Sequence, residues 1–266
     1  MFVNYVSAHD NETLFDIVSL KTPMEISVDE RCRINHLATS IIALGQGIPF
    51  FHSGDDILRS KSLDRDSYNS GDWFNRSRFL ISIFRLDFTY NSNNWGVGLP
   101  PKQKNEHNWP LIRPRLADPS FKPQRNHILA ALDNFSEVLR IRYSSPLFRL
   151  RTANAIQVRE ERVRFHNTGP SSVHGIIVMS IEDGHDGTPG LTQLDSNYSY
   201  IVVIFNSCPT EVSFGSFALR GRNLQLHPIQ TLSSDELFKN SSYEASSGCF
   251  TVPPRTTSVF VEPRKT

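Results

Sequence analysis

Phe2-Val3-Asn4-Tyr5-Val6-Ser7-Ala8-His9-Asp10-Asn11, at the start of the chain, is a short β-rich run that ends in a polar cluster. Working outward, a helix is predicted next. Ser27 with Glu30 three residues on fits a capping box, and Ile34, Leu37, Ala38, Ile41 and Ile42 recur at helical spacing up to Gly45. Gly47-Ile48-Pro49-Phe50-Phe51 then reads as a buried strand ending in His52-Ser53-Gly54-Asp55-Asp56. Residues 59–124 read as one long polar loop, and loops of that length in a compact protein are functional or disordered. A further helix is predicted over 126–143, with Ile128, Leu132, Phe135 and Leu139 on one stripe and Pro146 closing the region. Strand, helix, strand, loop and helix in that order are the grammar of a parallel α/β sheet or barrel.

The second half changes character. Short strands are predicted over 163–166, 175–181, 198–205, 249–252 and 257–261, several of them continuous apolar runs bounded by Gly, Asn or Pro. Such runs suit strands buried in an antiparallel sandwich. The junction falls within 145–152, giving domains 1–146 and 147–266. No internal repeat or low-complexity tract interrupts either part.

Composition excludes several classes. The 266 residues hold 28 Lys plus Arg and 27 Asp plus Glu, a net charge of +1 that suits neither a nucleic-acid groove nor an anionic membrane surface. With 38% hydrophobic residues and 18 Phe, the chain is not of the disordered class. The longest apolar runs, 176–179 and 201–205, fall far below the roughly 20 residues of a spanning helix. Cys32, Cys208 and Cys249 are odd in number and lack C-x-x-C spacing. They read as reduced, mostly buried thiols rather than a disulfide framework or zinc site. No signal or transit segment precedes the first strand, and the chain opens with strand-like residues already in progress.

In α/β barrels the reactive groups stand at the carboxyl ends of strands and in the loops that follow. His9-Asp10 at such an end either binds a pair of sugar hydroxyls and stabilises developing positive charge, or caps the strand by hydrogen-bonding loop backbone. Asp55-Asp56 reads as capping or structural. The loop segment from Lys61 to Asn75 alternates charges, amides and aromatics. That mixture suits the hydroxyl edge and apolar face of a sugar ring, and equally a solvated loop whose aromatics plug the barrel top.

Longer motifs separate these readings. Tyr5-Val6-Ser7-Ala8-His9-Asp10-Asn11-Glu12-Thr13-Leu14 resembles the fourth signature region of the α-amylase superfamily in its pullulanase-type form, and Gly47-Ile48-Pro49-Phe50-Phe51-His52-Ser53-Gly54 is similar to the eighth-strand region. Arg59-Ser60-Lys61-Ser62 and Asp66-Ser67-Tyr68-Asn69-Ser70-Gly71-Asp72-Trp73-Phe74-Asn75-Arg76 are far more restrictive. With Asn93-Asn94-Trp95-Gly96 and Tyr143-Ser144-Ser145-Pro146-Leu147-Phe148, they resemble plant limit dextrinases among the pullulanase-type starch-debranching enzymes. Arg162-Val163-Arg164-Phe165-His166-Asn167-Thr168-Gly169 extends the likeness into the second half.

The resemblance implies the last two β/α units of a (β/α)8 TIM barrel followed by a C-terminal antiparallel β-sandwich. It implies hydrolysis, with retention, of α-1,6 branch linkages in limit dextrins and pullulan. Retention uses a nucleophile and an acid/base about 5–5.5 Å apart. In the family these follow the fourth and fifth strands, and the chain is expected to begin at the seventh, so both lie upstream. Asp10 matches the third acidic residue, which stabilises the transition state. His9 matches a histidine on the same ring, and Arg65 a residue of the glucose subsite beside the cleavage point. His107 stands where some relatives carry a carboxylate. The expected partner is an α-glucan, with neither nucleic acid nor membrane, and oligomeric state is left open. No cofactor is implied with certainty; relatives bind calcium, and no complete ligand set is matched here. Plant members work in plastids. The competing reading is a non-catalytic product that binds glucan or partners, or one that does not fold alone.

Two further expectations follow. Relatives pass directly from the equivalent of Asn75-Arg76 to that of Leu86-Asp87-Phe88, whereas residues 77–85 intervene here, nine residues with an apolar core. They read as a retained-intron segment or an exposed β-prone insertion. The first 145 residues, with open sheet edges, are expected to be poorly stable alone, and the sandwich from Leu147 onward to fold by itself.

Overall fold

The computed structural model describes residues 2–75, 93–157, 162–184 and 191–264. Residues 77–85, the intervening segment, lie outside them. The chain forms two compact units: Asn4–Ile42 with Pro49–Ser136, and Met1–Val3 with Ala43–Ile48 and Glu137–Thr266.

Two short strands, β1 (Val3–Asn4) and β2 (Ile48–Pro49), pair in a two-stranded sheet. The Ile48 amide donates to the Phe2 carbonyl at 3.0 Å and the Phe50 amide to that of Asn4 at 2.8 Å. These bonds advance in the same direction along both strands, so the pairing is parallel and needs a crossover. The crossover contains α1 (Leu14–Lys21) and α2 (Val28–Leu44). Ser27 Oγ accepts the Glu30 amide at 3.2 Å, as the capping-box reading requires. The strand expected over 47–51 is both shorter and less buried than predicted. Ile48 and Phe50 are 44% and 46% exposed, because among the described residues β2 pairs with β1 alone.

The region 59–124 is not one loop. It holds α3 (Asp72–Asn75), α4 (Lys102–Asn105) and α5 (Trp109–Ala117), with single 3-10 turns at Glu106–Asn108 and Pro119–Phe121. Many of its polar residues are buried, among them Ser60, Lys61, Ser62, Asp64 and Asn105. They face a core of Phe15, Leu58, Leu63, Trp95, Ile112, Phe121 and Ile128. Phe121 stacks on Trp95 with centroids 6.1 Å apart, and the Arg31 guanidinium lies 3.7 Å above the Phe121 ring. Arg115 donates to the Ser19 and Leu20 carbonyls, at 2.8 and 3.3 Å, satisfying acceptors that the end of α1 would otherwise leave open.

Helix α6 (Arg125–Ser144) matches the stripe predicted over 126–143. Its buried Arg142 donates to the Ala43, Gly45 and Gly47 carbonyls, at 2.6, 3.0 and 2.9 Å, and so seals the end of α2. A short α7 (Ala153–Gln157) leads into the strands.

The strands are β3 (Val163–Phe165), β4 (Ile176–Glu182), β5 (Tyr198–Asn206), β6 (Val212–Gly215), β7 (Gln225–Leu226), β8 (Ser242–Glu244), β9 (Cys249–Val252) and β10 (Thr256–Pro263). A single-turn α8 (Pro228–Thr231) follows β7. One sheet has the order β3-β4-β5-β10-β7 and the other β6-β9-β8, and their ladders are antiparallel. Val178, Tyr200, Val202, Ile204, Phe214, Phe250, Val252 and Phe260 from both sheets share one apolar core, which makes a sandwich. Residues 200–206 of β5 are buried on both faces, which explains a continuous apolar run instead of an alternating one. Of the three thiols only Cys32 is buried; Cys208 and Cys249 are partly exposed, and all are free.

Candidate functional site

The first site segment leaves β1 and turns back at Asn11, whose backbone is left-handed (φ 61°). That turn sets His9 and Asp10 outward, 88% and 80% exposed, with Nε2 of one 3.5 Å from Oδ1 of the other. Chain direction then reverses into α1, whose N-cap is Thr13: its Oγ1 accepts the Asp16 amide at 3.2 Å.

The second segment follows β2. Gly54 takes φ 101°, and a Cβ there would meet Arg59 Cβ at 2.5 Å, so this turn requires glycine. Asp55 accepts from Ser7 Oγ at 2.8 Å and from the His52 amide at 3.0 Å; burial pushes its carboxyl up to about 6. It ties the two strand ends together, the structural role expected of it. His52 is pushed down to about 4 by burial, with Arg59 and Lys61 adding repulsion.

Beyond it, Leu58, Ser62 and Leu63 are all left-handed (φ 57°, 54° and 64°). A bulky residue in that region is a true outlier and is held only by its surroundings. The surroundings here are polar and buried. Asp64, fully buried, accepts from the Asp66 amide at 3.0 Å, Ser70 Oγ at 2.6 Å and Asn105 Nδ2 at 3.0 Å. Asn105 Oδ1 in turn accepts the Arg65 amide at 3.3 Å. The exposed Arg65 side chain reaches back to Asn11, Nε to Oδ1 at 3.4 Å.

His9, Asp10, Arg65 and His107 therefore line one cleft of about 830 Å³, which they share with Asn11, Tyr68 and Lys104. An adjoining cavity of about 590 Å³ shares Asp10, Asn11 and Arg65. Lys104 Nζ lies 3.5 Å from the Tyr68 ring centroid and 3.0 Å from the Asp66 carboxylate, while Tyr68 and Trp73 stay 80% and 64% exposed. Neither ring plugs a core. The cleft combines an open carboxylate, a guanidinium, two imidazoles and an exposed ring, a set that can bind hydroxyls around a sugar and face its apolar side.

Asn11, Tyr68 and Lys104 were not singled out as site residues by sequence. Asn11 adjoins Asp10, Tyr68 lies inside the most restrictive motif, and Lys104 precedes His107 by three residues, so proximity to the motifs was the available signal. Among the described residues no group of three or more His, Cys, Asp or Glu is placed to hold a metal ion. Among them, too, no helix is long and apolar enough to cross a membrane.

Comparison with known proteins bears on the family of the chain. Over 262 residues the chain is 72% identical to pullulanase 1, chloroplastic, of Arabidopsis thaliana, covering 98% of this chain and 26% of that protein. It is 35% identical to a pullulanase of Klebsiella pneumoniae, over 98% of this chain and 22% of the relative. The crystal structure of the maltotriose complex of PulA from Klebsiella pneumoniae superposes with a TM-score of 0.86, at 35% identity, over 99% of this chain and 26% of that one. The chain thus spans about a quarter of the length of the relatives it matches. The family model described as alpha-1,6-glucosidases, pullulanase-type, C-terminal takes in residues 90–263, and by that match the chain belongs to the pullulanase-type alpha-1,6-glucosidase family.

Proposed function

We propose that this chain is the C-terminal part of a starch-debranching hydrolase that cleaves α-1,6 linkages in limit dextrins and pullulan with retention. In this reading residues 1–146 supply the last two β/α units of a (β/α)8 barrel and 147–266 the sandwich. The parallel β1–β2 pair joined through α1 and α2 supports the first part. The observation that carries the reading is the shared cleft: residues 9 and 10, 65, and 107, far apart in sequence, open onto one concave surface.

The chemistry follows from their charges. Cleavage passes through an oxocarbenium-like state, with nucleophile and acid/base supplied by residues outside this chain. The Asp10 carboxylate stabilises the developing positive charge and accepts from ring hydroxyls, as does the His9 imidazole beside it. Both are exposed now, and a bound sugar displaces their water and strengthens each contact. Arg65 donates to hydroxyls of the same ring. His107 offers an imidazole in place of a carboxylate and so binds that ring differently. The name of the Arabidopsis relative supports a plastid as the place of action.

Pullulan hydrolysis is the test. Turnover by the 266-residue chain alone, abolished by Asp10→Asn, means that the chain contains a working catalytic unit. Maltotriose binding without turnover, weakened by Arg65→Ala, is the result expected if the two missing carboxyl groups lie elsewhere. A folded chain that neither binds maltotriose nor hydrolyses pullulan would sink the proposal.

A further inference from the structure

Lys61 is buried, with only 2% of its surface exposed, in a segment that its composition marks as polar and solvated. Burying an ammonium is costly unless its protons are used. Its Nζ donates to the Asn11 carbonyl at 2.6 Å. Asn11 directly follows Asp10, takes the left-handed backbone conformation, and meets Arg65 Nε through its own Oδ1 at 3.4 Å. The same residue is therefore held on its backbone by Lys61 and on its side chain by Arg65.

The backbone of Lys61 is held as firmly. Its amide donates to Asp16 Oδ2 at 2.6 Å, Ser60 Oγ donates to Asp16 Oδ1 at 2.6 Å, and the Ser62 amide donates to Ser60 Oγ at 2.8 Å. Asp16 lies in the first turn of α1, just after the segment that carries Asp10. The bonds close a ring: Asp16 holds the Lys61 backbone, the Lys61 side chain holds Asn11, and Asn11 leads back through the N-cap to Asp16. The charges facing Lys61 are Asp16, Asp64 and Glu12, with Arg59 the opposing one.

We propose that Lys61 is a positioning residue for the cleft, locking Asn11 so that Asp10 and Arg65 converge on the same sugar. This rests on the glucan reading of the cleft given above. Lys61 touches no substrate in this scheme; it acts through Asn11.

The test uses the 266-residue chain with maltotriose as the probe, read by NMR titration together with amide exchange at Asp10 and Asn11. Lys61→Met keeps the length of the stem and removes the donor. Well below its unfolding transition, the variant is expected to bind maltotriose about tenfold more weakly, the equivalent of one charge-assisted hydrogen bond. Exchange at Asp10 and Asn11 should accelerate. A purely structural lysine would lower the melting temperature and leave the affinity of the folded variant alone, and unchanged affinity overturns the proposal. Should Lys61→Met fail to fold, Lys61→Gln decides. Its amide is polar but shorter than the lysine stem and falls short of the Asn11 carbonyl; weaker binding supports the lock and unaltered binding overturns it. If the unsubstituted chain binds no maltotriose, the glucan reading fails for this chain, and the lock is judged by exchange alone. Faster exchange confined to Asp10 and Asn11 in Lys61→Met then upholds it, and unchanged exchange, or acceleration that extends equally to Ile112, refutes it.

Discussion

The two units of this chain are stabilised in opposite styles. In the unit with the sandwich, order comes from apolar strands: Ile201, Val203 and Ile204 of β5 and Val259 and Val261 of β10 are completely buried, and the β4–β5 and β5–β10 ladders each run in register over seven residues. In the unit with the cleft, many of the buried residues beside the site are polar, among them Asp16, Ser60, Lys61, Ser62, Asp64 and Asn105. Burial of apolar area is non-directional and tolerant, whereas a buried polar network stabilises only when every member finds its partner. The first style builds a scaffold. The second sets angles, which is what an open carboxylate beside a guanidinium requires.

The sharpest way to break this contrast is to cut the chain between 136 and 137, which parts the sandwich strands from the cleft residues and leaves Met1–Val3 and Ala43–Ile48 of the sandwich unit with the cleft. Residues 137–266 are expected to melt cooperatively, and residues 1–136 to show no cooperative transition. Starting instead at 147 removes the bonds of Ser144 to His227, Ser145 to Asp195 and Glu137 to Ser233, and costs on the order of 3 kcal/mol at about 1 kcal/mol each. Calorimetry of the three fragments measures this; a cooperative melt of 1–136 would contradict it.

Acid separates the units next. His227 is buried, accepts the Ile229 amide through Nδ1 at 3.2 Å, and is pushed down to about 4 by burial. A histidine with a depressed folded value contributes stability above its ordinary 6.5 that is lost as pH falls toward 4, here on the order of 3 kcal/mol. His166, lowered by burial, acts in the same direction. In the cleft unit burial raises Asp16 and Asp55 to about 6. Their contribution is complete below 3.8 and is lost as pH rises through 6, so acidification from pH 7 to 4 favours that unit, offset in part by His52. Amide exchange at Val202 and Ile112 should therefore move in opposite directions over this range. Parallel profiles at the two amides would remove the distinction.

The smallest effect is expected at the residue to which the proposed function gives the transition-state role. Asp10 is 80% exposed, so Asp10→Asn should change stability by no more than about 0.5 kcal/mol. A larger fall in melting temperature would give Asp10 a structural role that its exposure does not suggest.

Legibility in the sequence follows the same division. Strands β4, β5, β9 and β10 stood out as apolar runs, and α2 and α6 by their stripes. Strands β6, β7 and β8 did not, since Ser213, Gly215, Ser242 and Glu244 are exposed and each strand is short. Helix α1 was missed because Asp16 and Ser19 occupy buried positions where a pattern search expects apolar residues. Asp10, His9, Arg65 and His107 came from motif resemblance, and all open onto one cleft. The network behind them was hidden for a physical reason: a polar residue that is buried and satisfied has the same letter as one in water.

The left-handed turn at Ser62 and Leu63, beside the Asp16 tie, has a consequence in time. Asp16 and the Lys61 amide are separated by 45 residues, so closing that contact costs loop entropy that helices and hairpins do not. On the folding path this contact is therefore expected to form after the local turns of α1 and α2 and to open before them.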